Sequence, residues 1–415
     1  IVPASAMVRA VIVGASDFSD PKLAAFSLPG AARDAERMAT ALTRLDVTPG
    51  SMTVLTGKAA TLAAVRTALD GLASASQAGD RAVIFLSGHG TQAPARAGDP
   101  IEPDGVDELF LTADTRGWDS RSRTLPGALA DDEIGRRVGE LRARGVDVWV
   151  VIDSCTGGGL MRGGGRQTAK MLPAARLAIP SPAPARGAID ASGFIDGGLA
   201  GGGRLVAFAA AGPGAIAWDD GDGGAFTNAL TAAIAAQIPS SYSILAAQTD
   251  RGGAGAIWTS GDLSAPLLFT GRSPDLVEMA RQLPPLPFGT SLSIDGEGAC
   301  LRDGRVSAAP IDPGHDAVTV LRHCDHVRVD MAEPAEALRV EAWYRDAAGG
   351  YTSLAPPLGL IVAPGRWANV GFTFVTRDPA TGRVLPQGEE MLVLIARDAQ
   401  GQPRGAKLLR FRARA

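Results

Sequence analysis

Short aliphatic runs and stretches of helical periodicity alternate through the first two-thirds of the chain. Val8–Val13 is a continuous apolar run, the pattern of a parallel strand buried on both faces. After Leu28-Pro29-Gly30, the stretch AARDAERMATALTRL repeats its apolar positions at helical spacing without Gly or Pro. Met52–Leu55 predicts a second strand, and Thr61–Leu72 a second helix with Thr61 as its N-cap. Arg81–Leu86 (RAVIFL) predicts a third strand and runs into SGHG. Asp131–Arg144 reads as a helix, and Val146–Ile152 as a fourth strand that runs into Asp153-Ser154-Cys155. This order predicts an α/β fold, a mostly parallel sheet flanked by helices.

The pattern then breaks. Residues 157–203 are rich in Gly, Pro, Ala and Arg and have poor periodicity, which predicts a long mobile loop. Arg204–Ala210 predicts a strand, Ala225–Ala236 a helix, and Ser273–Leu283 a last helix before Pro284-Pro285-Leu286-Pro287. Beyond it, HVRVDM, LRVEAWYR and EMLVLIAR alternate polar and apolar positions between turn signals, the pattern of an all-β sandwich. A chain of 415 residues exceeds what a single core usually holds. The reading is therefore a stub at 1–6, an α/β domain over 7–272 with its loop at 157–203, a linker at 273–288 and a β-rich domain over 289–415.

Composition changes this picture little. Hydrophobic residues make up 46% and charged residues 20%, with a net charge of −4, so nothing points to nucleic acid or an anionic membrane as partner. No apolar run approaches the roughly 18 residues of a membrane span. At the start, Ala4-Ser5-Ala6 is the small-x-small pattern that ends a bacterial signal peptide. Export to the periplasm or beyond, and a cytoplasmic location, are equally open.

Candidate chemistry sits at two strand ends. His89 and Cys155 each follow a buried apolar run directly, and in an open parallel sheet the carboxyl ends of the strands line the ligand crevice. A thiol there needs a base to become a thiolate and an acid for the leaving amine, and one imidazole can do both. His89 is the only histidine among the first 300 residues, so it is the partner available to Cys155 within that domain. Gly88 and Gly90 let the backbone pass close to a substrate, and the N–H groups of Gly90 and Cys155 could face a developing oxyanion. Singly, Cys155 reads as a small buried hydrophobe and His89 as a loop histidine; both at strand ends wrapped in glycine favour chemistry. A phosphate-cradling Cys-x5-Arg loop does not fit, since CTGGGLMR places Arg162 one residue too far and no histidine precedes the cysteine.

SGHGTQ, DELFLTAD, DDEI and VVIDSC, with VRAVIVGAS and LPGAARDAERMATAL before them and GGAFTNAL at 223–230, resemble the caspase and metacaspase family of cysteine endopeptidases. The resemblance covers residues 7–272. It implies a caspase-hemoglobinase α/β fold with a Cys155–His89 dyad and no required cofactor. It also implies bacterial metacaspase-like activity on protein or peptide substrates. The matching pocket positions are Asp34, Asp153 and Ser87, and carboxylates facing a guanidinium predict cleavage after Arg, then Lys. Trp218, Asp219 and Asp220 match positions that shape neighbouring subsites. Asp107, Asp131 and Asp132 match three of four calcium-binding aspartates, but the fourth falls at Arg162, a cation where an anion is needed, so calcium dependence is doubtful. Asp131-Asp132 also suits a helix N-terminus.

If the pocket takes basic residues, the enzyme could cut its own loop at Arg162, Arg166, Lys170, Arg176 or Arg186. In the β-rich domain an oxidising compartment would favour a disulfide between Cys300 and Cys324. His323-Cys324-Asp325-His326 is too compact for a metal site. By analogy alone that domain could dock a partner. The rival reading from another class is a catalytically silent caspase-like scaffold or peptide-binding protein acting through its β domain.

Overall fold

The structure is a computed structural model that describes residues 6–94, 106–155, 168–180, 202–211, 215–250, 257–270, 275–295, 318–322, 325–347, 349, 351–355, 359–366, 368–374, 388–399 and 401–413. The chain forms two compact units, residues 1–259 with 267–270 and residues 260–266 with 271–415.

Through residue 261 the chain runs β1 (Val8–Gly14), α1 (Pro29–Arg44), β2 (Met52–Thr56), α2 (Leu62–Ala75), β3 (Arg81–Ser87), β4 (Gly90–Pro94), β5 (Val106–Leu111), β6 (Ala128–Ala130), α3 (Asp131–Ala143), β7 (Asp147–Asp153), β8 (Thr168–Ala169), β9 (Leu205–Ala209), β10 (Trp218–Asp219), α4 (Ala225–Ala236), α5 (Tyr242–Thr249) and β11 (Trp258–Gly261), of which all but the last two residues of β11 lie in the first unit. The main sheet has the order β11-β9-β7-β3-β1-β2, with parallel pairing from β2 across to β9. Successive side chains leave a strand on opposite faces. One set, including Val11, Val13, Ile84, Leu86, Val150 and Ile152, shares a core with Val65 and Leu69 of α2 and Ile134 and Val138 of α3. On the other face Trp149 stacks edge-on against Tyr242 of α5, ring centroids 5.3 Å apart.

Local sequence explains the helices. Thr61 caps α2 by accepting the Ala64 N–H at 3.2 Å. Pro29 occupies the first turn of α1, where its missing N–H has no intrahelical role. The buried stripe of α1 is Ala31, Asp34, Ala35, Met38, Ala41 and Leu42, apolar except for one carboxylate.

Periodicity did not foresee the small antiparallel sheet β4-β5-β6, the pair β10-β8, helix α5 or strand β11. One expectation is corrected. Residues 168–180, placed in the long mobile loop, are built into the fold: they form β8 and a 3-10 turn at Ala174–Leu177. Leu172, Leu177 and Ile179 are buried in a cluster with Phe18, Leu109, Leu111 and Leu125.

Among the described residues the second unit holds α6 (Leu276–Gln282) and nine strands: β12 (Thr290–Asp295), β13 (Val318–Leu321), β14 (His326–Met331), β15 (Leu338–Arg345), β16 (Tyr351–Ser353), β17 (Leu360–Val362), β18 (Ala368–Thr373), β19 (Glu389–Arg397) and β20 (Pro403–Ala413). Sheets β12-β14-β18 and β13-β20-β19-β15-β16, with β17 on β15, close on one core that includes Val327, Val329, Val340, Leu392 and Phe411.

Candidate active site

Strands β3 and β7 end level, with Ser87 paired to Asp153. Both lie on the sheet face opposite Leu86 and Ile152, and both are fully buried. His89 and Cys155 follow two residues later on each strand. Gly90 passes so close to Cys155 that a Cβ at position 90 would collide with the Cys155 carbonyl.

Asp34, Ser87 and Asp153 converge, and the pocket they make is filled by the chain itself. The Lys170 ammonium is fully buried and lies 2.7 Å from Asp34 Oδ2, 2.9 Å from Asp153 Oδ2 and 2.9 Å from Ser87 Oγ. Ser87 also donates to Asp34 at 2.8 Å. The N-terminus of α4 supports the same carboxylates. Gly224 N–H donates to Asp34 at 2.9 Å, and the Thr227 hydroxyl donates to Asp153 at 2.5 Å. Burial works against the Lys170 charge, yet Asp153 and Asp34 hold its pKa above the ordinary value. Burial also raises the Asp153 carboxyl, against the pull of the Lys170 charge and with a further push from the Asp34 carboxylate. Position 224 must be glycine: a Cβ there would strike the Asp153 carboxylate and sit 2.5 Å from Lys170 Nζ.

The Lys170 backbone is held as closely as its side chain. Its carbonyl oxygen accepts from Gly90 N–H at 3.0 Å and Cys155 N–H at 3.1 Å, and its own N–H donates to Ala217 O at 2.9 Å. Upstream, Ala169 pairs with Trp218 and Thr168 with Asp219 in β8 and β10. Downstream, Leu172 N–H donates to Gly90 O at 2.9 Å and Trp118 N–H to Leu177 O at 2.7 Å. Segment 168–180 thus crosses the strand ends as a strap, with a basic side chain in the acidic pocket and a carbonyl between two N–H groups.

His89 Nε2 lies 2.9 Å from the Phe26 carbonyl. A carbonyl only accepts, so Nε2 carries the proton and Nδ1 presents a lone pair; among the described residues Nδ1 has no hydrogen-bond partner. The ring stacks on Phe18, centroids 6.2 Å apart. Burial, aided by the Lys170 charge, lowers the imidazole pKa to about 4. Cys155 Sγ is buried; it accepts the Ala217 N–H at 2.6 Å and lies 3.5 Å from the Ala217 carbonyl. Burial pushes the thiol up to about 11, against the pull of the Ala217 N–H. With the strap in place, thiol and imidazole are both neutral at ordinary pH.

The 219–224 turn covers the pocket. Asp219 is buried, its carboxyl raised by burial, and its Oδ1 accepts Gly221 N–H at 2.7 Å while Oδ2 has no partner among the described residues. Asp220 is exposed and shapes the turn by accepting Asp222 N–H at 2.9 Å. Arg33 and Arg37 of α1 clasp this turn: Arg33 Nε donates to Asp222 O at 3.0 Å and Arg37 to Asp222 Oδ2 at 2.7 Å. Trp218 contributes its backbone to the strap pairing and is half-buried. Sequence reasoning missed Phe26 and Ala217, which act through their backbones, and the Thr227 and Gly224 contacts. The GGAFT run just before a helix was the only signal for the last two.

Among the described residues, the remaining expected positions lie apart from the pocket or form no metal site. Arg176 is exposed over the Phe26 ring, 5.7 Å from its centroid, and is not in the pocket. Arg162, Arg166, Arg186, Cys300 and Cys324 lie outside the described residues. Asp107 and Asp131 are buried on β5 and α3, with Asp132 beside them half-buried, but among the described residues no group of three or more ligands could hold a metal ion. Among the described residues no helix is long and apolar enough to cross a membrane.

A family model described as the caspase domain, Peptidase C14, matches residues 7–251. No curated protein matches the chain. Among solved structures, protein GSU0716 from Geobacter sulfurreducens is similar at 24% identity and a TM-score of 0.45, covering 65% of this chain and 98% of that one. A Niemann-Pick type C2 protein from the Japanese carpenter ant is similar at 8% identity and a TM-score of 0.18, covering 32% of this chain and 98% of its own.

Proposed function

The chain belongs to the caspase domain family, and from that premise we propose that it is a cysteine endopeptidase that cuts after Arg and Lys and takes Lys170–Met171 as its own first substrate. One observation carries this reading: Lys170 lies in the crevice as a substrate residue would, its ammonium on Asp34 and Asp153 and its carbonyl on the Gly90 and Cys155 N–H groups. His89 Nδ1 takes the Cys155 proton, the thiolate attacks the carbonyl carbon, and the two N–H groups hold the oxyanion. The imidazolium then returns the proton to the leaving amine, and water hydrolyses the thioester. Lysine leaves Asp153 Oδ1 without a hydrogen-bond partner among the described residues. A guanidinium brings five N–H donors where an ammonium brings three, which favours Arg over Lys.

The scaffold reading has one observation of its own, a thiol near 11 beside an imidazole near 4. The two separate in one assay. Purified protein and a Cys155→Ala control are given peptides ending in Arg, Lys or Asp before a fluorogenic group, with and without calcium. Cys155-dependent turnover of the Arg and Lys peptides is expected. Turnover of the Asp peptide instead would sink the pocket assignment, and no turnover in any arm by protein whose Lys170–Met171 bond is cut would return the chain to the scaffold class.

A further inference from the structure

Gly90 grips both sides of the bond that the proposed reaction opens. Its N–H holds the Lys170 carbonyl at 3.0 Å, and its carbonyl holds the Leu172 N–H at 2.9 Å. Neither contact includes the bond itself, so both survive when it breaks. The leaving side is fixed further by Leu172, Leu177 and Ile179, at most 5% exposed in their apolar cluster, and by the Trp118 bond to the Leu177 carbonyl. The acyl side is fixed by the Lys170 ion pairs and the β8–β10 pairing. Cys155 and Lys170 are fully buried and His89 is 4% exposed, so bulk water has poor access to the reacting carbonyl.

We propose that this crevice also makes peptide bonds: the Met171 amine, retained beside the acyl-enzyme, reseals Lys170–Met171 faster than water hydrolyses it. The proposal rests on the endopeptidase reading. Acylation joins Cys155 Sγ to the Lys170 carbonyl carbon, breaks the C–N bond, and leaves Met171 as a neutral amine carrying the former thiol proton. In the return step that amine attacks the thioester while the Gly90 and Cys155 N–H groups hold the oxyanion. The C–S bond breaks, and His89 Nδ1 carries the amine proton back to the sulfur. No atom is gained or lost. A nucleophile held at its target acts at an effective concentration far above that of a free one, and a water-poor crevice weakens its competitor. Self-cleavage therefore runs to completion only when the leaving side is pulled away.

Hydroxylamine tests this by intercepting the thioester. The chain has no Asn-Gly pair, the usual site of backbone cleavage by this reagent. The full-length protein is incubated in buffer with and without hydroxylamine, and cutting at Lys170–Met171 is followed by intact mass. If most acyl-enzyme returns, trapping raises the cutting rate about tenfold or more and leaves Lys170 as a hydroxamate. An unchanged rate with Lys170 ending as hydroxamate would overturn the proposal, because every thioester would already be going forward. No cutting in either arm also overturns it; the endopeptidase reading then stands or falls separately on turnover of Arg peptides by a Lys170→Ala variant, whose strap leaves the acidic pocket without a cation. Leu177→Ala, checked for folding by that peptide turnover, supplies the opposite manipulation. It is expected to cut faster in plain buffer and respond less to hydroxylamine, whereas slower cutting would mean that the downstream contacts only present Lys170.

Discussion

Residues 168–170 and 171–179 are consecutive, yet the fold holds them by opposite means. The upstream part is held by an ammonium among carboxylates and by backbone pairing. The downstream part is held by Leu172, Leu177 and Ile179 in an apolar cluster with residues from β5 and the loops around it. Any chain with a basic side chain can reproduce the first set of contacts, because it uses one cation and main-chain groups. The second set depends on side chains fitted to one another. On the endopeptidase reading proposed above, the upstream part therefore marks what a substrate would offer, and the downstream part is specific to this chain.

The sharpest way to break that distinction is Asp153→Asn. Removing one partner of a buried ion pair costs about 3–5 kcal/mol, so kcat/KM for Arg peptides should fall about a thousandfold. The strap should loosen at the same time, since Lys170 loses the same carboxylate. Turnover within threefold of the parent chain would show that substrate and strap use different pockets.

Acid gives the next largest effect. Burial depresses the His89 pKa from 6.5 to about 4. Between those values the unfolded chain binds a proton that the folded chain refuses, so stability falls as the pH falls, by up to ~3 kcal/mol. Burial raises the carboxyls of Asp153 and Asp219, and these act in the opposite sense. A His89→Gln variant isolates the imidazole. Its unfolding free energy, followed from above pH 6.5 to near pH 4, should lose this dependence, and identical curves for the two chains would place the acid sensitivity elsewhere.

The pocket that receives Lys170 was more legible in the sequence than the strap that fills it. Ser87, His89, Asp153 and Cys155 stand directly after apolar runs, and parallel strands that end level bring such residues together without help from distant chain. Asp34 was reached only through the family resemblance; the structure shows it as the one charge in the buried stripe of α1. The strap was not legible, because residues 168–180 have no periodicity and their anchors Phe18, Leu109, Leu111 and Leu125 come from distant segments. Five basic residues in that loop looked equivalent, and only tertiary contacts single out Lys170. Phe26 and Ala217 contribute a carbonyl and an N–H that every residue type possesses, so no pattern of side chains could mark them.

The smallest expected effect concerns what holds the pocket's cover. Asp222 is 70% exposed in its ion pair with Arg37, and such pairs contribute about 1 kcal/mol or less. The two arginines also donate to the backbone: Arg33 to the carbonyls of Gly221 and Asp222, and Arg37 to Asp222 O at 2.5 Å. Those bonds do not need the Asp222 side chain. Asp222→Asn should therefore raise KM for Arg peptides only about twofold, leave kcat unchanged, and lose even that difference in high salt. Arg37→Ala removes a backbone bond as well and should raise KM further. If Asp222→Asn alone raised KM tenfold, the turn would be held by an exposed ion pair rather than by guanidinium-to-backbone bonds. The acidic pocket would then be as salt-sensitive as the surface above it.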